Sequence, residues 1–268
     1  MRAFMGSLIA SALGQSLGQI ASTITSANDV AIPLGMRDAK LIPMNIEEWA
    51  QGLNIRMDEV RLFFAVREAA ATRLFTHTPW LAEYIKNLIT SYGRGIRIDM
   101  EAMQKQAMEA MESGQFDMEN PESISIAISA GLFKPEQTAQ QEAALAKLEM
   151  AFALIEGWID NVTTKAIDNR LPSFQPLSEM LRRRRVSKSP MQHLFATLLG
   201  LEVSPRKLRE CTKFWDEVES QIGIEGRDAR FEDAALLPTG ADLADVSKFL
   251  ASTTVPDDLS SLFKEDDK

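Results

Sequence analysis

Apolar residues recur at helical spacing through most of this chain, and the places where that rhythm is interrupted carry more information than the rhythm itself. Positions that share one face at about 3.6 residues per turn predict helices over roughly 46–53, 57–76, 79–92 and 99–112, then one long helix over about 134–168. Thr78 followed by Pro79 reads as a helix cap and first residue, with Gly93 as the stop. Ser204 and Pro205 open a further helix to about 222, an apolar segment precedes it at 195–202, and one more short helix is expected beyond Ala241. Between the turn residues Asn28, Asp29 and Gly35, the stretch 30–34 is short enough to be extended. Residues 115–132 stay ambiguous between strand and helix around the Asn120-Pro121 turn.

Two of these apolar runs contain charges where none is expected. FFAVREAAATRLF at 63–75 carries Arg67 beside Glu68, and MAFALIEGWIDNV at 150–162 carries Glu156 and Asp160 one helical turn apart. A carboxylate buried without a partner costs several kcal/mol, on the order of a whole domain's margin of stability. Arg67 shares a face with Ala71 and Leu74, which sets Glu68 at a groove edge beside Val60 and Phe64. Either Arg67 bonds Glu156, with Asp160 as a second partner, or Arg67 and Glu68 form a solvated helix edge. Gly157 lies directly after Glu156 and costs about 1 kcal/mol in a helix relative to Ala. A close approach by another element would offset that cost, and the Arg67 helix is the candidate.

Composition narrows the rest. With 268 residues, 45% of them apolar and only two tyrosines, the chain is long enough for one sizeable core and reads as mainly helical. A net charge of −9 speaks against a general nucleic-acid binder, and a single cysteine, Cys211, excludes an internal disulfide and points to the cytoplasm. Cys211 is expected to be buried and inert. Residues 1–25 hold one charge, Arg2, and three readings compete for them: a signal peptide, a membrane span, or a packed helix with small residues on its contact face. The polar residues punctuating the run favour the packed helix. The basic run at 181–188 lacks interleaved aromatics and reads as a solvated face, or as one with an arginine turned inward to a buried acid. His193, on an apolar face, is expected to pack rather than ligate. Residues 253–268 form an acidic, flexible tail behind a single domain over 1–252, whose halves, 1–132 and 133–252, carry the two anomalous helices.

At those two helices the chain resembles the zincin-like family of actinobacterial putative zinc-dependent metalloproteases. The similarity continues through THTPWL at 76–81, NRLP at 169–172, LRRRR at 181–185, FATLLGLE at 195–202, GRDA at 226–229 and LLPT at 236–239. The family's His-Glu-x-x-His motif falls on Arg67, Glu68, Ala69, Ala70 and Ala71, and its distant glutamate falls on Glu156. The resemblance implies a mainly α, zincin-like multi-helix domain with a small β edge near residues 28–43. It also implies Glu68 at the general-base position, Arg67, Ala71 and Glu156 at degenerate metal-ligand positions, and Asp160 as the acid that orients a ligand. His77, Trp80, Trp158 and Arg184 are the candidates for the cleft walls.

Catalytic zinc needs about three protein ligands and an open position. Ala71 donates nothing, and the Arg67 guanidinium repels a divalent cation. Two function classes follow. The first is a metalloprotease-like scaffold without zinc or peptidase activity, acting as a binding or interaction module for a peptide or protein in the cleft. The second is a zinc-dependent hydrolase using non-standard ligands with Glu68 as base. No cofactor is expected in the first case and zinc in the second; neither calls for nucleic acid or a membrane span.

Overall fold

In the computed structural model, which describes residues 14, 17–18, 20–29, 38–94, 138–167, 170–188 and 207–253, helices carry nearly all of the regular structure. They include α1 (Pro43–Trp49), α2 (Met57–His77), α3 (Trp80–Arg94), α4 (Ala139–Ile167), α5 (Phe174–Lys188), α6 (Leu208–Ala229) and α7 (Val246–Thr253), with short 3-10 turns at Ala234–Leu236 and Asp242–Ala244. The fold is mainly α. The expected β edge amounts, among the described residues, to one antiparallel bridge between Ser26 and Leu41. The expectations for 30–34, 99–112, 115–132, 195–202, His193 and the tail beyond 253 lie outside the described residues.

Helix α4 is the axis of the molecule. Its described part, from Ala139, opens on a reciprocal cap in which Gln141 N donates to Thr138 Oγ1 and Thr138 N donates to Gln141 Oε1, and the expected start near Pro135 lies outside the described residues. From Ala151 to Asn161 every residue is buried, because α2, α3 and α6 pack around it. A helix enclosed in this way is expected to be apolar on all sides, and here Glu156, Asp160 and Asn161 are buried exceptions. One apolar cluster joins α4 to α3, α6 and α7 through Leu81, Ile85, Phe152, Trp215, Phe231 and Phe249. A second joins α1, α2 and α5 through Ile46, Trp49, Phe63, Phe64, Phe174 and Leu177.

Several details depart from the sequence pattern. Thr78 closes α2 instead of capping α3: its N–H and hydroxyl both donate to Leu74 O. Helix α6 runs on to Ala229 past Gly223, whose φ of 75° breaks the helical path where a side chain would be strained. The neighbour crowding Gly157 is α6, not α2. A Cβ added there would sit 2.8 Å from Cys211 Cβ and 2.9 Å from the Thr212 nitrogen. Among the described residues no helix is long and apolar enough to cross a membrane.

Candidate ion-pair site between three helices

Arg67 on α2 and Glu156 and Asp160 on α4 meet in the seam between the two apolar clusters. Its Nη2 lies 2.7 Å from Glu156 Oε2, and its Nη1 lies 3.5 Å from Asp160 Oδ1. Arg67 is 7% exposed and Glu68 2%, so neither belongs to a solvated edge. The spacing along α4 accounts for the geometry: side chains four residues apart stack on one face, and one guanidinium fork spans both.

Helix α5 supplies two more cations. Arg185 Nη1 contacts the other oxygen of Glu156, and Arg185 Nη2 lies 2.7 Å from Asp29 Oδ1. Arg182 Nη2 lies 3.2 Å from the second oxygen of Asp160, and the Thr212 hydroxyl oxygen stands 3.5 Å from the same atom. The result is an alternating chain, Asp29, Arg185, Glu156, Arg67, Asp160, Arg182, with as many carboxylates as guanidiniums. Alternation makes the burial tolerable, because each inner charge has an opposite neighbour on either side, Asp29 at one end also accepts from Thr25, and Arg182 at the other end reaches solvent. Burial, reinforced by the nearby Arg185 charge, lowers the Arg67 pKa. Burial also works against the charge of Arg185, but Glu156 and Asp29 outweigh it and hold its pKa above the ordinary arginine range.

Glu68 stands outside this chain and is held by neutral donors. Asn28 donates from its backbone N to Oε2 at 3.2 Å and from Nδ2 to Oε1 at 2.8 Å. Lys40 N and the Thr72 hydroxyl also donate to Oε1. The 25–29 turn that delivers Asn28 is fixed internally, since Thr25 N and Oγ1 both donate to Asp29 Oδ2. It is fixed externally by Arg185. A cavity of about 10 Å³ remains between Asn28, Arg67, Glu68, Glu156 and Arg185, the room that one water molecule needs.

The residues at this place do not fit a zinc ion. Both Glu156 oxygens are engaged by guanidiniums, Ala71 presents a buried methyl group, and the Arg67 guanidinium beside Glu156 and Asp160 repels a divalent cation. Among the described residues no group of three His, Cys, Asp or Glu side chains is placed to hold a metal.

The four candidates for cleft walls lie elsewhere. His77 is exposed at the end of α2. Trp80 donates from Nε1 to Phe231 O, and Trp158 donates from Nε1 to Asp228 Oδ1 under the Arg227 guanidinium. Arg184 stacks on the Trp49 ring at 4.7 Å. Asn28, Asp29 and Arg182, by contrast, carry no individual site signal in the sequence. Asn28 and Asp29 read only as a turn, which they are, while their long-range bonds leave no local signature.

A family model described as zincin-like metallopeptidase matches residues 1–250, a span that includes every residue of this site. No curated protein and no solved structure matches the chain.

Proposed function

This chain belongs to the zincin-like metallopeptidase family, and we propose that it uses that scaffold as a binding or interaction module without zinc and without peptide hydrolysis. The observation that carries this reading is the seating of Arg67 between Glu156 and Asp160. A guanidinium there supplies the positive charge that the acids require, and it stays protonated at any physiological pH. It cannot lower the pKa of a bound water as zinc does, so Glu68 has no activated water to deprotonate.

The surroundings of Glu68 support the same conclusion. Its two oxygens accept from Asn28, Lys40 and Thr72, and a peptide reaching it would have to displace the 25–29 turn along with the Arg185–Asp29 pair. A partner is accordingly met by the outer faces of the helices, or in the cleft at the expense of that turn.

Elemental analysis of protein purified without chelators, together with hydrolysis of a generic fluorogenic peptide library by wild type and Glu68→Gln, tests the proposal. Zinc far below one equivalent, and no hydrolysis that distinguishes the two proteins, are the expected results. One zinc per chain, or a peptidase activity that Glu68→Gln abolishes, would overturn it in favour of an enzyme with non-standard ligands.

A further inference from the structure

Asp160 gives one oxygen to Arg67 and the other to Arg182, and at Arg182 the ion-pair chain reaches a second, larger cavity between α4, α5 and α6. It is an open groove of about 340 Å³. Lys165, Arg182, Arg209 and Lys213 line it, opposed by the single carboxylate of Asp216. In a chain of net charge −9 such a concentration of cations is against the average.

The neighbouring acids do not neutralise it. Lys165 Nζ is paired to Asp216 at 2.9 Å, and that hydrogen bond raises its pKa. Glu179 is shared among Arg182, Arg183 and Arg209, with the Arg209 contact at 3.7 Å. Asp160 is shared between Arg182 and Arg67. Lys213 is exposed and has no carboxylate within ion-pair distance among the described residues. The hydroxyls of Thr164 and Thr212 are turned to the backbone oxygens of Asp160 and Leu208, so the wall offers charge rather than uncommitted hydroxyl donors.

We propose that this groove binds a small phosphate monoester. Two guanidiniums and two ammoniums converging on one cavity suit a doubly charged tetrahedral anion better than a monocarboxylate, because planar guanidinium forks match phosphate oxygens and each cation left unpaired favours a second negative charge. A volume of about 340 Å³ admits a phosphate group with a modest organic substituent, at the lower end of ordinary ligand sites. The inference goes beyond the metal-free reading of the Arg67 site and holds whether or not the chain hydrolyses peptides.

The test is calorimetric titration of the full chain with phenyl phosphate and with benzoate, at constant ionic strength of about 0.15 M so that diffuse attraction is screened. Expected is saturable binding of one phenyl phosphate, tighter at pH 7 than at pH 5 by roughly tenfold, since the second ionisation of a phosphomonoester lies near pH 6. Benzoate, already fully charged at both pH values, should bind more weakly and without that dependence. Lys213→Ala and Arg209→Ala should each weaken phenyl phosphate by about tenfold, the scale of one charge-assisted hydrogen bond. Both side chains are exposed, and circular dichroism will verify that the variants fold. Lys86→Glu, on α3, which contributes nothing to the groove, should leave binding unchanged. Absence of saturable binding, benzoate binding as tight as phenyl phosphate, or an equal loss in Lys86→Glu would each overturn the proposal.

Discussion

Arg67 Nη2 lies 2.7 Å from Glu156 Oε2 across the α2–α4 interface, at a depth where both side chains are almost fully enclosed. Removing one partner of such a pair strands the other, so the loss exceeds what the pair contributes in the intact protein. Arg67→Ala is expected to destabilise the fold by about 3–5 kcal/mol, read as a lowered midpoint in urea unfolding. Arg67→Lys should fall between that variant and wild type, because an ammonium keeps the charge but cannot fork between Glu156 and Asp160. Equal stability of Arg67→Ala and wild type would mean that the acids find other partners.

Gly157 is held to glycine by α6 and not by the ion pair beside it. A Cβ there meets backbone atoms of Cys211 and Thr212 at 2.9 Å, and backbone in a helix cannot step aside as a flexible side chain can. Gly157→Ala should therefore cost about 1–3 kcal/mol through overpacking, more than the helix-propensity gain of up to about 1 kcal/mol. Gly93→Ala is the control: nothing lies within 4 Å of the added carbon, so the propensity term acts alone and the variant should be neutral or slightly more stable. Thermal unfolding of the two variants should move in opposite directions.

The two anomalous helices reveal most of this site in the sequence itself. Acids embedded in an apolar helix demand a cation, and Arg67 sits in the other apolar helix that carries charge, so their pairing follows from the cost of the alternative. The second cation, Arg185, was recoverable only in part. In α5 the phase of the helix turns Arg182 and Arg185 inward, three residues apart, and leaves Arg183 exposed. Without that helix the run 181–188 is only a cluster of like charges. Asn28 was not recoverable, because an Asx residue in a turn looks the same whether its amide closes the turn or reaches Glu68 from 40 positions away. Gly157 announced a close approach, but a missing side chain says nothing about which element fills its place.

Cys211, the sole cysteine, reports on the same α4–α6 contact. Burial pushes its thiol up to about 12 from an ordinary value of 9.0, with the nearby Glu210 charge adding to the shift. A raised folded-state pKa means that the neutral thiol is favoured by folding. Its contribution is fully present below pH 9 and is lost as pH climbs through about 12. The fall in unfolding free energy across that window should be smaller in Cys211→Ala than in wild type. At pH 8 a disulfide reagent should modify the native protein very slowly and the urea-unfolded protein at once. Rapid labelling of native protein would show that α6 opens away from α4.

The proposed absence of a metal offers the most demanding test of the geometry. Introducing imidazoles with Arg67→His and Ala71→His places two ligands one turn apart on α2, opposite Glu156 on α4. In the present structure that change alone leaves Arg185 bonded to Glu156 Oε1, and a resident guanidinium competes with the metal for the carboxylate while repelling its charge. Zinc binding by the double variant is therefore expected to be weak. Adding Arg185→Met removes the competitor and should tighten zinc by roughly ten- to a hundredfold, the range over which groups behind the ligands tune metal affinity. Competition titration with a chromogenic chelator measures both constants. The same substitution frees Asp29, so the 25–29 turn should loosen and Glu68 should gain solvent. If the triple variant binds zinc no better than the double, Arg185 is not what keeps a metal from Glu156, and the gap between α2 and α4 is too narrow for one.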